Sequence, residues 1–134
     1  MNRAAPQPAA RARFWSFVIP WDAGTLAPNR VTHRMQRYRL AMHARRAAAF
    51  VWIQRGRPRA QSRVRVDITI RRTRALDEDN AIASLKPLLD GLFNVALTPD
   101  DSPKWVSLGA ILQHIDPQWK YREEVQFDVT EVDA

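Results

Sequence analysis

The sequence predicts an α+β domain in the order β-α-β-α-β-β, with two main helices against a small mixed sheet. Three observations carry this reading. In residues 63–72, Val64, Val66, Ile68 and Ile70 alternate with Arg63, Arg65, Asp67, Thr69 and Arg71, the period-two pattern of a strand with one buried face. Two longer stretches, 33–54 and 80–94, place apolar residues at helical spacing. Two further alternating segments, 105–114 and 125–132, close the chain.

Taken in order, residues 1–13 are rich in Ala, Pro and Arg and lack the apolar core of a secretory signal, so they read as a disordered basic lead-in. Residues 14–134 then form a single domain, a length that suffices for one hydrophobic core. Strand 14–19 sets Trp15, Phe17 and Ile19 on one face, and Pro20-Trp21 ends it. Residues 22–30, with Gly24, Pro28 and Asn29, read as a loop. Thr32 is placed to cap the first helix, which Gly56 and Pro58 close. The second helix is expected to be capped by Asp79 or Asn80, with Ile82, Leu85, Leu88, Leu89, Leu92 and Phe93 as its core stripe. Pro87 lies inside that stripe and removes a backbone donor, which predicts a kink or a split into two short helices. The third strand is expected to turn Val106, Leu108, Ala110 and Leu112 inward, and the fourth Val125, Phe127 and Val129. Asp116-Pro117 makes the turn between them, which predicts that these two strands pair antiparallel. A sheet with one half-bare face leaves a surface for dimerisation.

Charge divides the chain sharply. Residues 1–74 hold seventeen arginines against Asp22 and Asp67, a balance of +15. Residues 75–134 hold Lys86, Lys104, Lys120 and Arg122 against twelve carboxylates, a balance of −8, and the halves sum to the net +7. A basic half of this kind suits a phosphate backbone, and an acidic half suits cations. No apolar run approaches the ~18 residues of a membrane span. The absence of cysteine excludes a disulfide framework and thiolate metal sites, and fits a reducing cytoplasm.

The acidic half begins at Ala75-Leu-Asp77-Glu78-Asp79-Asn80, where a strand gives way to a helix. Asp77 and Asp79, two residues apart, are oxygen ligands of the type Mg²⁺ prefers, and Asp101 in Pro99-Asp100-Asp101 would complete a three-carboxylate set. Distance allows this. A helix over residues 80–94 is roughly 21 Å long, and the seven steps from Asn94 to Asp101 span at most ~23–25 Å. The loop can just return along the helix, or the set is built across a dimer. Lys86 follows Asp79 by seven residues, hence on the same helix face, where it can steady a phosphate; its simpler reading is an ion pair with Asp90. Arg30, Arg34 and Arg37, clustered where the first helix begins, and Arg71, Arg72 and Arg74, which lead into the acidic stretch, are the candidate DNA-binding residues. Taken singly, Asp79-Asn80 is an ordinary helix cap and Pro99-Asp100-Asp101-Ser102-Pro103 an ordinary turn.

In combination these residues resemble the RusA-like Holliday junction resolvases of phages and prophages. The resemblance covers residues 14–132. It runs from Ile19-Pro20-Trp21 and Pro28-Asn29-Arg30 through Asp77-Glu-Asp79-Asn80, Lys86-x-x-x-Asp90-Gly-Leu and Asp100-Asp101. It implies a homodimeric, Mg²⁺-dependent endonuclease, with Mn²⁺ able to substitute, that cuts branched DNA by paired symmetric nicks and uses no small-molecule cofactor. It implies metal-binding and catalytic roles for Asp77, Asp79 and Asp101, a catalytic role for Lys86, and the cytoplasm of a bacterial or phage-infected cell. Two features depart from the family pattern. The lysine follows the second aspartate by seven residues rather than four, and Leu76 stands where a basic residue is expected. These departures support a second reading, a non-catalytic, structure-selective DNA-binding protein on the same fold. An Arg-rich RNA-binding or assembly module is the third.

Overall fold

The computed structural model describes residues 13–26, 33–94 and 96–132. Arg30 and Thr32, and the lead-in apart from Arg13, lie outside the described residues. The chain forms β1 (Phe14–Pro20), a short 3₁₀ turn (Ala23–Leu26), α1 (Arg34–Gln54), β2 (Val64–Arg72), α2 (Glu78–Phe93), β3 (Val106–Ile115), a second 3₁₀ turn (Pro117–Trp119) and β4 (Glu124–Glu131). This is the expected α+β order with two helices and a four-stranded mixed sheet.

The strand order differs from expectation. It is β1-β4-β2-β3, with β4 antiparallel to both β1 and β2 and with β3 parallel to β2. The last strand therefore does not pair with β3. It slots between β1 and β2, where Val125, Phe127 and Val129 are fully buried. Two parallel crossovers, β1-α1-β2 and β2-α2-β3, carry the helices, and a Greek-key-like return inserts β4 between their first two strands. One end of the sheet thus gathers the C-terminal ends of β1, β2 and β3 and the starts of both helices. The other end gathers their exits.

The helix-bearing face holds the core, including Phe17, Ile19, Val64, Val66, Ile68, Ile70 and Phe127, closed over by Leu85, Leu88 and Leu92 of α2. α1 and α2 meet at Gly91, where a Cβ would collide with the Arg45 carbonyl and press on Ala48. Gly91 thus permits close helix contact. α2 runs unbroken through Pro87. The carbonyl that loses its donor belongs to Ala83 on the exposed side, while buried Ser84, Leu85 and Leu88 hold the turn against the core. Its start is also earlier than expected: Asp77 occupies the N-cap without a side-chain capping bond, so Asp79 and Asn80 lie in the first turn.

β3 carries a second correction. The pairing of β2 and β3 shifts between Val66↔Leu108 and Ile68↔Ile111, so Asp67 faces two residues, Gly109 and Ala110. The Asp67 carboxylate accepts the Ala110 N–H at 2.8 Å, and a side chain at Gly109 would strike it. This bulge flips the alternation. Ile111 joins the core, and Leu112 faces outward at 62% exposure.

The opposite sheet face is polar and bonded across strands. Arg71 donates to Glu124 at 2.9 Å and to Gln126 at 2.7 Å; Gln126 and Ser16 both donate to Asp128 at 2.9 Å. At the far end, Arg13 and the N–H groups of Gln61 and Ser62 converge on buried Glu131. Burial pushes the Glu131 carboxyl up, but the Arg13 hydrogen bond and the backbone donors outweigh it and hold the group below its ordinary value. No helix among the described residues is long and apolar enough to cross a membrane.

Candidate nucleic-acid and metal site

The acidic stretch leaves β2 at Arg72 and enters α2 at Glu78, at the end where the parallel strands terminate. In open sheets with parallel crossovers this is the end at which loops form ligand sites. Its backbone is fixed by one residue that the sequence did not single out. The Gln113 side-chain amide accepts from the Leu76 N–H and donates to the Leu76 carbonyl, both at 2.8 Å. The Leu76 side chain packs on the core, which accounts for an apolar residue at this position. Asp77, Glu78 and Asp79 follow, with Glu78 and Asp79 exposed, and no cation among the described residues pairs with any of the three. They therefore retain their full capacity to accept from or coordinate a partner.

The arginines divide. Arg34 and Arg37 lie in the first turns of α1, where residues 33–39 are all exposed, and neither has an acidic partner among the described residues. Arg74 is exposed beside the acidic stretch. Arg71 and Arg72, by contrast, are already engaged. Arg71 is held in the sheet-face network described above and lies over Trp119. Arg72 donates from Nε to Asp22 at 2.8 Å and from Nη1 to the Arg74 carbonyl at 2.8 Å. Two of the expected phosphate ligands thus build the platform that the others stand on.

Asp101 lies at the other end of the sheet. α2 covers 16 residues, about 24 Å, and the segment that follows does not run back along it. Leu97 and Thr98 are fully buried beneath the helix exit. Leu97 bonds to the Leu92 carbonyl through its N–H and to the Ala60 N–H through its carbonyl, while the Thr98 hydroxyl donates to the Phe93 carbonyl. This anchorage uses up the reach that a return would need. Asp100 is tied locally: the Ser102 hydroxyl and N–H hold its carboxyl below the ordinary aspartate value. Lys86 shares a cleft with Asp101, Asp90 and Arg63 between α2 and β3, and it leans toward Asp90 at 3.8 Å with its side chain 74% exposed.

The predicted set is therefore brought together in two parts, Asp77 with Asp79 at one end and Lys86 with Asp101 toward the other. Among the described residues, no three His, Cys, Asp or Glu side chains are grouped to hold a metal ion. The pair Asp77/Asp79 suits Mg²⁺ in donor chemistry, since that ion is commonly held by one or two carboxylates with water and substrate phosphate completing its shell. The triad within one chain does not fit it. The turn after β3, with Trp119, Lys120, Tyr121 and Arg122, joins the acidic stretch at the same end, because the Asp116 N–H bonds the Arg72 carbonyl at 3.1 Å. Sequence reasoning missed this turn, although aromatics interleaved with cations after Asp116-Pro117 carry its signal. Compared with known proteins, no family model and no curated protein matches the chain.

Proposed function

We propose that the chain acts as a homodimer on four-way DNA junctions, as a Mg²⁺-dependent endodeoxyribonuclease of the RusA-like kind. The observation that carries this reading is the pairing of Asp77 and Asp79, which no cation among the described residues engages, with exposed Arg34, Arg37 and Arg74 at one end of the sheet. The arginines hold the phosphates of the DNA arms and fix the strand beside the two carboxylates. Asp77 and Asp79 would hold the ion, which supplies polarisation of the scissile phosphate and activation of water when bound. Gln113 keeps both carboxylates in position through the Leu76 backbone, and the Arg72–Asp22 pair braces the loop beneath them. The third carboxylate, Asp101, comes from a second copy, with Lys86 travelling beside it. Two-fold symmetry of such a dimer matches that of the junction and yields paired nicks.

A specific observation favours a second reading. The separation of Asp101 from Asp77 and Asp79 within one chain equally suits a structure-selective DNA-binding protein that does not cut. Nicking of a synthetic four-way junction in Mg²⁺ or Mn²⁺ decides between them. The nuclease reading expects cleavage that Asp79→Asn abolishes while junction binding persists. Binding without any nicking in either ion supports the second reading. Junction affinity equal to duplex affinity at matched salt overturns both.

A further inference from the structure

We propose that the cleft between Trp21 and Tyr121 receives one unpaired nucleobase of the branched DNA. The inference rests on the nucleic-acid reading above and names the DNA feature that this end of the protein grips. The cleft, of ≈ 440 Å³, lies where β1 ends and the β3–β4 turn folds over it, and its walls include Trp21, Asp22, Tyr121, Arg122, Glu123 and Glu124.

Tyr121 is the first reason. It is 87% exposed and adopts φ +62, a left-handed conformation that bulky side chains rarely take. The left-handed backbone opposes folding, and a ring this exposed returns little burial to offset it, so the residue's placement points to something outside the fold. Its neighbours are the second reason. The Lys120 ammonium lies over the Tyr121 ring, 5.3 Å from its centre, and Arg122 lines the same cleft, so two cations stand near where the phosphates of a splayed strand would pass. The cleft interior is the third. Asp22 is engaged by Arg72 at 2.8 Å and Glu124 by Arg71 at 2.9 Å, which mutes their charge, and the Glu124 carboxylate has further lone pairs for the amino groups of a base. An exposed aromatic ring beside a cleft lined by polar groups matches a nucleobase, which stacks on π-surfaces and carries both donors and acceptors at its edge. Bases in continuous duplex are already stacked and paired; a branch point offers one at lower cost.

The test uses the full chain and a four-way junction carrying 5-iodouracil at the branch point, in EDTA so that the strands stay intact. Irradiation is expected to crosslink the base to Tyr121 or Trp21. Tyr121→Ala is expected to weaken junction binding by roughly 5- to 150-fold, the scale of one stacked base, while duplex affinity stays unchanged. Tyr121→Phe, which keeps the ring, is expected to bind as the unaltered chain does. Crosslinks confined to other residues, or equal losses on junction and duplex for Tyr121→Ala, would overturn the inference and leave junction binding itself standing. Failure of the unaltered chain to prefer junction over duplex would overturn the underlying reading and the inference with it.

Discussion

The two ends of the sheet are built on opposite principles. At the end where α2 exits, backbone and side chains are buried and bonded: Leu97 and Thr98 sit beneath the helix, and Arg13, Gln61 and Ser62 close on Glu131. At the end where the helices begin, Asp79, Arg34, Arg37, Arg74 and Tyr121 are exposed, and the bonds present fix the loops from below. Buried and bonded groups mark one end, and exposed charged and aromatic side chains the other. This division sets Asp101 apart from Asp77 and Asp79 within one chain, and no three such side chains are grouped among the described residues.

That contrast can be broken most strongly at the carboxylates. Asp79→Asn is expected to lower junction nicking by about 10²-fold or more, the scale for a group acting at the reacting phosphate, with the thermal midpoint nearly unchanged. At the opposite end, Leu97→Ala is expected to cost about 2–5 kcal/mol in urea unfolding, as for other fully buried leucines. Glu131→Gln is expected to cost roughly 1–3 kcal/mol near neutral pH by removing the charge that donors from three residues, Arg13, Gln61 and Ser62, share. Its pH dependence has a definite sign. A carboxyl held low in the folded state stabilises above its unfolded value and loses that contribution as pH falls through its folded value. Urea midpoints followed from neutral to acidic pH should therefore fall less steeply for Glu131→Gln than for the unaltered protein. The smallest expected effects are at the exposed end. Tyr121→Gly relieves the left-handed backbone and should stabilise by about 1 kcal/mol while weakening junction binding. Arg34→Ala and Arg37→Ala should each reduce the salt slope of DNA binding by about 1, with no change in stability.

The same division marks what the sequence made legible. The alternation of Val64, Val66, Ile68 and Ile70, and the stripe from Leu85 to Leu92, report burial directly, and the order of elements followed from them. Partner choice leaves no such trace: Val125, Phe127 and Val129 alternate identically whether β4 pairs with β3 or inserts between β1 and β2. The phase of β3 was lost at Gly109, because a bulge held by Asp67 is a tertiary event without local periodicity. Pro87 suggested a break that the buried leucines around it overrule. At the site, Asp77 and Asp79 were legible because strand end and helix start adjoin in sequence. Chain reach permitted Asp101 to join them, but the burial of Leu97 and Thr98, a long-range packing choice, decided otherwise. Arg71 and Arg72 look like any other free arginines until Glu124, Gln126 and Asp22 are brought beside them.

The most direct measurement mixes two inactive chains. Asp79→Asn and Asp101→Asn are assayed on a four-way junction in Mg²⁺, separately and after co-refolding in equal amounts. If a second copy supplies Asp101, each variant is inactive alone, but every mixed dimer keeps one intact site. Random pairing then leaves roughly a quarter of the sites active, and they nick single strands rather than symmetric pairs. A mixture as inactive as its components, or full activity in Asp101→Asn alone, would contradict the division of the site between two chains.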